Sequence, residues 1–185
     1  MTRVLKPPLR QNSAVAGLIS KTCTRPTSVV VVLSFLLVTI VLDQLTKLAA
    51  LTFLSTPPYK VEVMPFFNFS LGFNSGVSFG VFADLFNNQQ WPLIAITMAI
   101  AIGLTIWAVR TERLFETAAI ALIAGGAYGN IIDRVRQNAV TDFLDFHFMG
   151  WHWPAFNFAD VFICIGAASL LLATFVTTVA NGNKN

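Results

Sequence analysis

Four long apolar runs limit what this chain can fold into. SVVVVLSFLLVTIVL begins at Ser28 and continues past Asp43 towards Leu54, and PLIAITMAIAIGLTIWAV covers Pro92 to Val109. TAAIALIAGGAYGNII covers Thr117 to Ile132, and VFICIGAASLLLATFVTTVA covers Val161 to Ala180. A helix needs about 20 apolar residues to cross the hydrocarbon of a bilayer. The third run falls short of this unless Phe115 and Asp133 mark its interfacial ends. Charged residues make up only 11% of the chain, against about 25% in an average soluble domain. The expected fold is an all-α membrane protein in one integral membrane domain over residues 1–185. Its four transmembrane helices lie at about 28–51, 92–109, 116–133 and 160–180, behind a polar cytoplasmic tail at 1–27.

Charge sets the expected orientation. Arg3, Lys6, Arg10, Lys21 and Arg25 lie in the N-terminal tail, and Arg110 and Arg113 lie between the second and third runs. Basic residues favour the cytoplasmic side, so both termini and the 110–116 turn are expected there. The tail has no apolar stretch before Ser28 and does not read as a signal peptide. The basic charge sits in flanks and loops beside spans, which argues against a nucleic-acid partner. Cys23 and Cys164 form neither a disulfide framework nor a metal spacing. His147 and His152 belong to no H-E-x-x-H pattern, so no metal and no cofactor are expected.

This orientation brings the carboxylates together. Asp43 lies late in the first span, Asp133 closes the third, Asp160 opens the fourth, and Asp142 lies in the loop before it. All four reach the extracytoplasmic interface, while only Glu112 and Glu116 face the cytoplasm. Carboxylates at such depth are costly, and they mark function more often than structure.

The segment from Phe67 to Val81 alternates apolar and small or polar residues on either side of Asn74-Ser75-Gly76. This predicts a β-hairpin cap, with YKVEV at Tyr59–Val63 as a further strand. ADLFNNQQW at Ala83–Trp91 suggests a short interfacial helix, and Trp151, Trp153 and Phe156 an aromatic belt.

Several of these residues have plain structural explanations. Asp43 and Lys47 suit an i,i+4 ion pair. Gly125 and Gly129 suit close helix packing. Asn157 and Asp160 suit a helix cap and a first-turn acid. None of these explains Asp142, Asn130 and Asp133. Two nearby carboxylates that share a proton can act as general acid and general base on a peptide bond. Asp142 and Asp160 are candidates for such a pair, since both reach the same membrane face, with Asp145 competing for the place of Asp142; sequence alone does not place the two acids side by side. A proton-coupled transporter using the same acids as a relay, or a non-catalytic scaffold, are the alternatives. The clustering at one face and the lack of an internal repeat count against a transporter.

Five segments carry a resemblance: DQLTK at Asp43–Lys47, NSGVSFG at Asn74–Gly80, GGAYGNIIDR at Gly125–Arg134, VTDFLDF at Val140–Phe146 and PAFNFAD at Pro154–Asp160. Together and in this order, they resemble the lipoprotein signal peptidases (signal peptidase II), membrane aspartic peptidases of bacteria. Val77, Tyr128 and the long tail depart from the pattern without removing an acid.

The resemblance implies that Asp142 and Asp160 are catalytic. It implies that Asp43, Lys47, Asn74, Gly76, Asn130, Asp133, Arg134, Asn157 and Ala159 bind substrate or shape the site. Asp145 is left with a structural or supporting place. The implied substrate is a diacylglyceryl-modified prolipoprotein, cleaved before its lipidated cysteine at the outer face of the cytoplasmic membrane. The implied enzyme is a monomer in contact with membrane lipid.

Overall fold

The computed structural model describes residues 26–76 and 90–182. Eight elements follow in chain order: α1 (Pro26–Phe53), β1 (Lys60–Met64), β2 (Phe67–Asn74), α2 (Trp91–Arg110), α3 (Leu114–Gln137), β3 (Val140–Phe148), β4 (Trp151–His152) and α4 (Phe158–Gly182). Each of the four helices holds a stretch long and apolar enough to cross a membrane.

The central helix is α3, which packs against each of the other three. Its buried face is built from small residues, including Ala121, Ala124, Gly125, Gly126 and Gly129. Close approach requires them. A Cβ on Gly125 would stand 2.8 Å from the Thr39 side chain, and one on Gly126 would run into the Ala159 carbonyl. Small residues of this kind let helix backbones meet in lipid, where dispersion and hydrogen bonds replace the hydrophobic effect. The outer helices turn Leu33, Leu37, Ile96, Ile100, Leu171 and Phe175 outward. They shield α3 from lipid, so α3 can carry more polar residues than its neighbours. It is also longer than its apolar run: it begins at Leu114 and continues to Gln137, ending on Asn138 in the left-handed conformation at φ 58°. The Asn138 N–H bonds the Arg134 carbonyl at 3.0 Å, a one-residue stop signal.

A four-stranded antiparallel sheet, in the order β1-β2-β3-β4, covers one end of the bundle. Ala50 and Leu54 of α1 pack with Phe143 and Leu144 of β3, joined by Phe67, Phe69, Phe156 and Phe158. At the other end, Ser28 and Thr117 both direct hydroxyls to the Thr111 carbonyl, at 3.5 and 3.3 Å, in the turn between α2 and α3.

The sheet is larger than the hairpin expected from sequence. Phe67–Asn74 does form a strand that ends at the foreseen turn, and Lys60 to Val63 of the YKVEV segment lie in its neighbour, with Tyr59 left out at φ 59°. The second arm of the expected hairpin and most of the Ala83–Trp91 helix lie outside the described residues, although Trp91 itself opens α2. The two-residue β4 was not foreseen, and nor was the longer β3. Its residues Val140 to Asp145 are all buried. A strand buried on both faces shows little of the alternation by which strands are read.

Candidate active site

The start of α4 fixes Asp160. The Asn157 side-chain oxygen accepts the Asp160 N–H at 3.2 Å, and Asp160 Oδ2 accepts the Asn157 N–H at 3.2 Å. This reciprocal pair is a capping box, which satisfies two backbone donors that a helix start leaves open. Capping therefore accounts for the position of Asp160 and leaves its Oδ1 to accept a bond from Asn130 Nδ2 at 2.9 Å.

The two asparagines then link both acids. Asn157 Nδ2 donates to Asp142 Oδ1 at 2.6 Å and lies 3.2 Å from Asn130 Oδ1. Strand β3 brings Asp142 to this point, in register with Gly72 of β2. Asp142 and Asp160 are thus joined by an amide chain, Asp142–Asn157–Asn130–Asp160. Neither carboxylate forms a salt bridge among the described residues. Asp142 is 4% exposed, whereas Asp160 is only partly buried.

Burial is the main cause that raises Asp142 from 3.8 to about 6. The nearby Asp160 charge adds to the rise, and hydrogen bonds from Asn157 and Asn74 and the Lys47 charge oppose it. The shift brings the point of half-protonation of Asp142 close to neutral pH, so a proton there is far more accessible than on an ordinary carboxylate.

Behind the amide chain lies an ion cluster. Lys47 Nζ stands 2.9 Å from Asp43 Oδ2, 3.0 Å from Asp133 Oδ2 and 2.9 Å from Asn130 Oδ1. Asp43 Oδ1 accepts the Ala159 N–H at 2.9 Å, and Asp133 Oδ2 accepts the Thr141 N–H at 3.0 Å. The cluster therefore holds three things at once: the Asn130 amide, the first turn of α4 and the beginning of β3. Gly129 makes room for it, since a Cβ there would collide with the Asp43 carboxylate.

Asn74 closes the site from β2 through its contact with Asp142, and its Oδ1 also accepts the Gly76 N–H at 2.8 Å. Gly76 has φ +77°, a conformation that side-chain-bearing residues rarely adopt. A Cβ there would stand 2.6 Å from Leu93 and 3.8 Å from an Arg134 nitrogen. Arg134 acts on Asp160, Asp142 and Asp133 through its charge, and its Nη1 lies 3.5 Å from the Asn130 carbonyl. The structure thus gathers all the residues that the resemblance pointed to at one end of the bundle.

Asp145 lies three residues along β3 in a different environment. It accepts Asn68 Nδ2 at 3.1 Å and meets His152 Nδ1 at 2.7 Å. Burial pushes its carboxyl up, but the hydrogen bonds from His152 and Asn68 outweigh this and hold it below the ordinary value. No bond joins it to the amide chain, in keeping with a supporting place.

Gln44 was overlooked, although it stands inside the DQLTK segment. Its Nε2 reaches Asp133 Oδ1 at 3.0 Å, Asp43 Oδ2 at 3.2 Å and the Gly129 carbonyl at 3.2 Å, and its Oε1 accepts Arg136 Nη1 at 3.3 Å. A polar residue directly beside an intramembrane acid was the available signal.

The family model for signal peptidase (SPase) II matches residues 35–176. The lipoprotein signal peptidase of Coxiella burnetii (strain RSA 331 / Henzerling II) is 41% identical over 148 residues, covering 77% of this chain and 88% of its own. That of Paraburkholderia phymatum is 42% identical over 157 residues, covering 82% and 93%. A solved structure described as a bacterial membrane enzyme superposes with a TM-score of 0.66 at 30% identity, covering 77% of this chain and 91% of that one. With the match running through α1 to α4 and every residue of the acid network inside it, the chain belongs to the signal peptidase II family of membrane peptidases.

Proposed function

We propose that this multi-pass membrane peptidase is an aspartic endopeptidase. On this reading it removes the signal peptide from diacylglyceryl-modified prolipoproteins, and residues 1–185 work as one domain. The observation that carries the proposal is the pair Asp142 and Asp160, linked through two amides with no cation in salt-bridge contact with either among the described residues.

The substrate's lipid keeps it in the bilayer, so the peptide bond before the lipidated cysteine stays near the interface. Asp160, as carboxylate, takes a proton from the attacking water. Asp142, as acid, gives its proton to the carbonyl oxygen, and a tetrahedral diol forms. When the C–N bond breaks, Asp160 passes its proton to the leaving amine and Asp142 recovers one from the diol. Both residues end as they began. Asn130 and Asn157 keep the two carboxylates in place, Lys47 with Asp43 and Asp133 holds Asn130, and Gly76 and Asn74 leave room for an extended peptide beside the pair. Arg134 offers positive charge to the substrate backbone. Most of the rate comes from orientation and proton transfer.

The test is cleavage of a purified diacylglyceryl-modified preprolipoprotein by the full chain in detergent, with the product mass read directly. A product that begins at the lipidated cysteine is expected. Equal cleavage of the unlipidated precursor, or cleavage elsewhere, would overturn the substrate assignment.

The orientation inferred from Lys and Arg places the site outside the cytoplasm with both termini inside. In a chain with Cys23 and Cys164 replaced by Ser, a single cysteine at Asn138 should react with an impermeant thiol reagent on intact cells, and one at Thr111 should not. The reverse labelling would invert the topology.

A further inference from the structure

A cavity of about 300 Å³ lies between the last two turns of α1 and the sheet, with Thr46, Ala50, Phe53, Val61, Phe143 and Phe158 in its walls. The Phe143 and Phe158 rings stack at 6.1 Å. Thr46 brings the one side-chain hydroxyl, and that hydroxyl is already bonded to the Leu42 and Asp43 carbonyls at 2.9 Å each. Among the described residues the walls thus offer no side-chain donor that is not already engaged. A peptide, sugar or headgroup seated here would leave its polar groups without partners, at substantial cost. The chemistry admits hydrocarbon.

Position identifies the source. The cavity opens beside a membrane-spanning helix whose neighbouring side chains Leu45, Leu48 and Phe53 are 57%, 57% and 79% exposed. Side chains of this kind face lipid. None of the residues that hydrogen-bond Asp142 or Asp160 lines the cavity. Phe143 follows Asp142 in a strand whose side chains alternate in direction, and Phe158 lies two positions before Asp160 at the start of a helix. A chain tethered at the carboxylates would have to pass around β3 to enter.

We propose that this cavity binds one acyl chain of a bilayer glycerophospholipid, seated behind Phe143 and Phe158. The chain supports from the rear the strand and the helix start that carry the two acids. This site is independent of which substrate is cleaved and of the proton roles.

The experiment uses the full chain in phosphatidylethanolamine–phosphatidylglycerol vesicles. They are doped with a phosphatidylcholine that carries a diazirine midway along one acyl chain. After irradiation, peptides are mapped by mass spectrometry. Adducts are expected on Phe143 and Phe158 as well as on the lipid-facing Ile96 and Ile100 of α2. Ala49 is exposed and also lines the cavity, so Ala49→Phe fills it from the rim without disturbing a buried position, and thermal melting checks the fold. In that variant, adducts on Phe143 and Phe158 should fall by about tenfold, as displacement of roughly two methylenes implies. Those on Ile96 and Ile100 should not change.

Labelling confined to Ile96 and Ile100, or cavity labelling that Ala49→Phe leaves intact, would overturn the site. In a second arm, the diazirine sits in the diacylglyceryl chain of a lipidated substrate added to unlabelled vesicles. Cavity adducts from the substrate and none from the bilayer probe would overturn the assignment to membrane lipid.

Discussion

Two pairs of acids sit within one hydrogen-bonded network and have opposite surroundings. Asp43 and Asp133 share a buried lysine, and each of their oxygens accepts at least one bond, from Lys47, Gln44 or a backbone N–H. Asp142 and Asp160 meet amides and a backbone N–H, with no lysine or arginine in salt-bridge contact among the described residues. A carboxylate bonded to a lysine cannot leave its place without breaking that ion pair. One held by neutral amides can change protonation without breaking an ion pair. The contrast separates acids that hold the site from acids able to carry a proton, though all four lie at the same end of the bundle.

The sharpest way to break this contrast is to remove proton exchange from one pair while keeping shape. Asp142→Asn and Asp160→Asn should each lose turnover by about 10²–10⁴-fold. The double variant should lose little more, because groups that act as a unit are non-additive. Turnover of the lipidated substrate by purified, well-melting variants decides it. Parental rates in both would mean that neither acid carries a proton.

The next effect falls on the other pair and reads out as stability. Lys47→Met leaves two buried carboxylates without their cation, and breaking such a set costs roughly 3–5 kcal/mol. The melting temperature in detergent should drop steeply. If it did not, the ion cluster would be no more compensated than the dyad.

A smaller effect has the opposite sign. Asp142 binds its proton more tightly in the folded protein, at about 6 against 3.8. The folded state therefore holds more proton than the unfolded one between those values, and stability declines as pH rises through that window. Asp142→Asn removes this penalty. The variant should be more stable than the parent at pH 8, by at most ~3 kcal/mol for a rise from 3.8 to about 6, and the gap should close towards pH 4. A variant that melts lower at pH 8 would show that burial does not strain Asp142.

Asp145→Asn should matter least. It weakens the bonds to Asn68 and His152, worth about 1 kcal/mol each, and should keep most of the turnover. A well-folded but inactive Asp145→Asn, beside an active Asp142→Asn, would exchange the roles of the two strand acids.

What was legible in the sequence follows the same physical division. Spans are visible because lipid demands long apolar runs, and the acids stand out against them. Gly125 and Gly129 were readable as a packing face, and Asn157 and Asp160 as a cap, because both rest on local spacing. Asp160 is the acid of that cap as well as a proposed catalytic residue. By contrast, β3 was hidden by burial on both faces, and the Asn130–Asn157 amide chain joins residues 27 positions apart, which no local pattern announces. Gln44 escaped for the same reason: its partners on α3 are 85 to 92 positions away.

The unequal helix lengths carry a consequence for the enzyme's setting. At 20 residues, α2 is about 30 Å long, which matches the hydrocarbon thickness of an ordinary bilayer with nothing to spare. At 28 residues, α1 is about 42 Å long and has length to tilt or protrude. The short helix therefore acts as a depth gauge. In a thicker bilayer α2 cannot reach both surfaces, and the end that carries the carboxylates is drawn below the water line. In a thinner one that end stands proud of the acyl chains. With the proposed roles of Asp142 and Asp160, membrane thickness, an attribute of the surrounding lipid rather than of the chain, would tune how easily water and a scissile bond meet at the two acids.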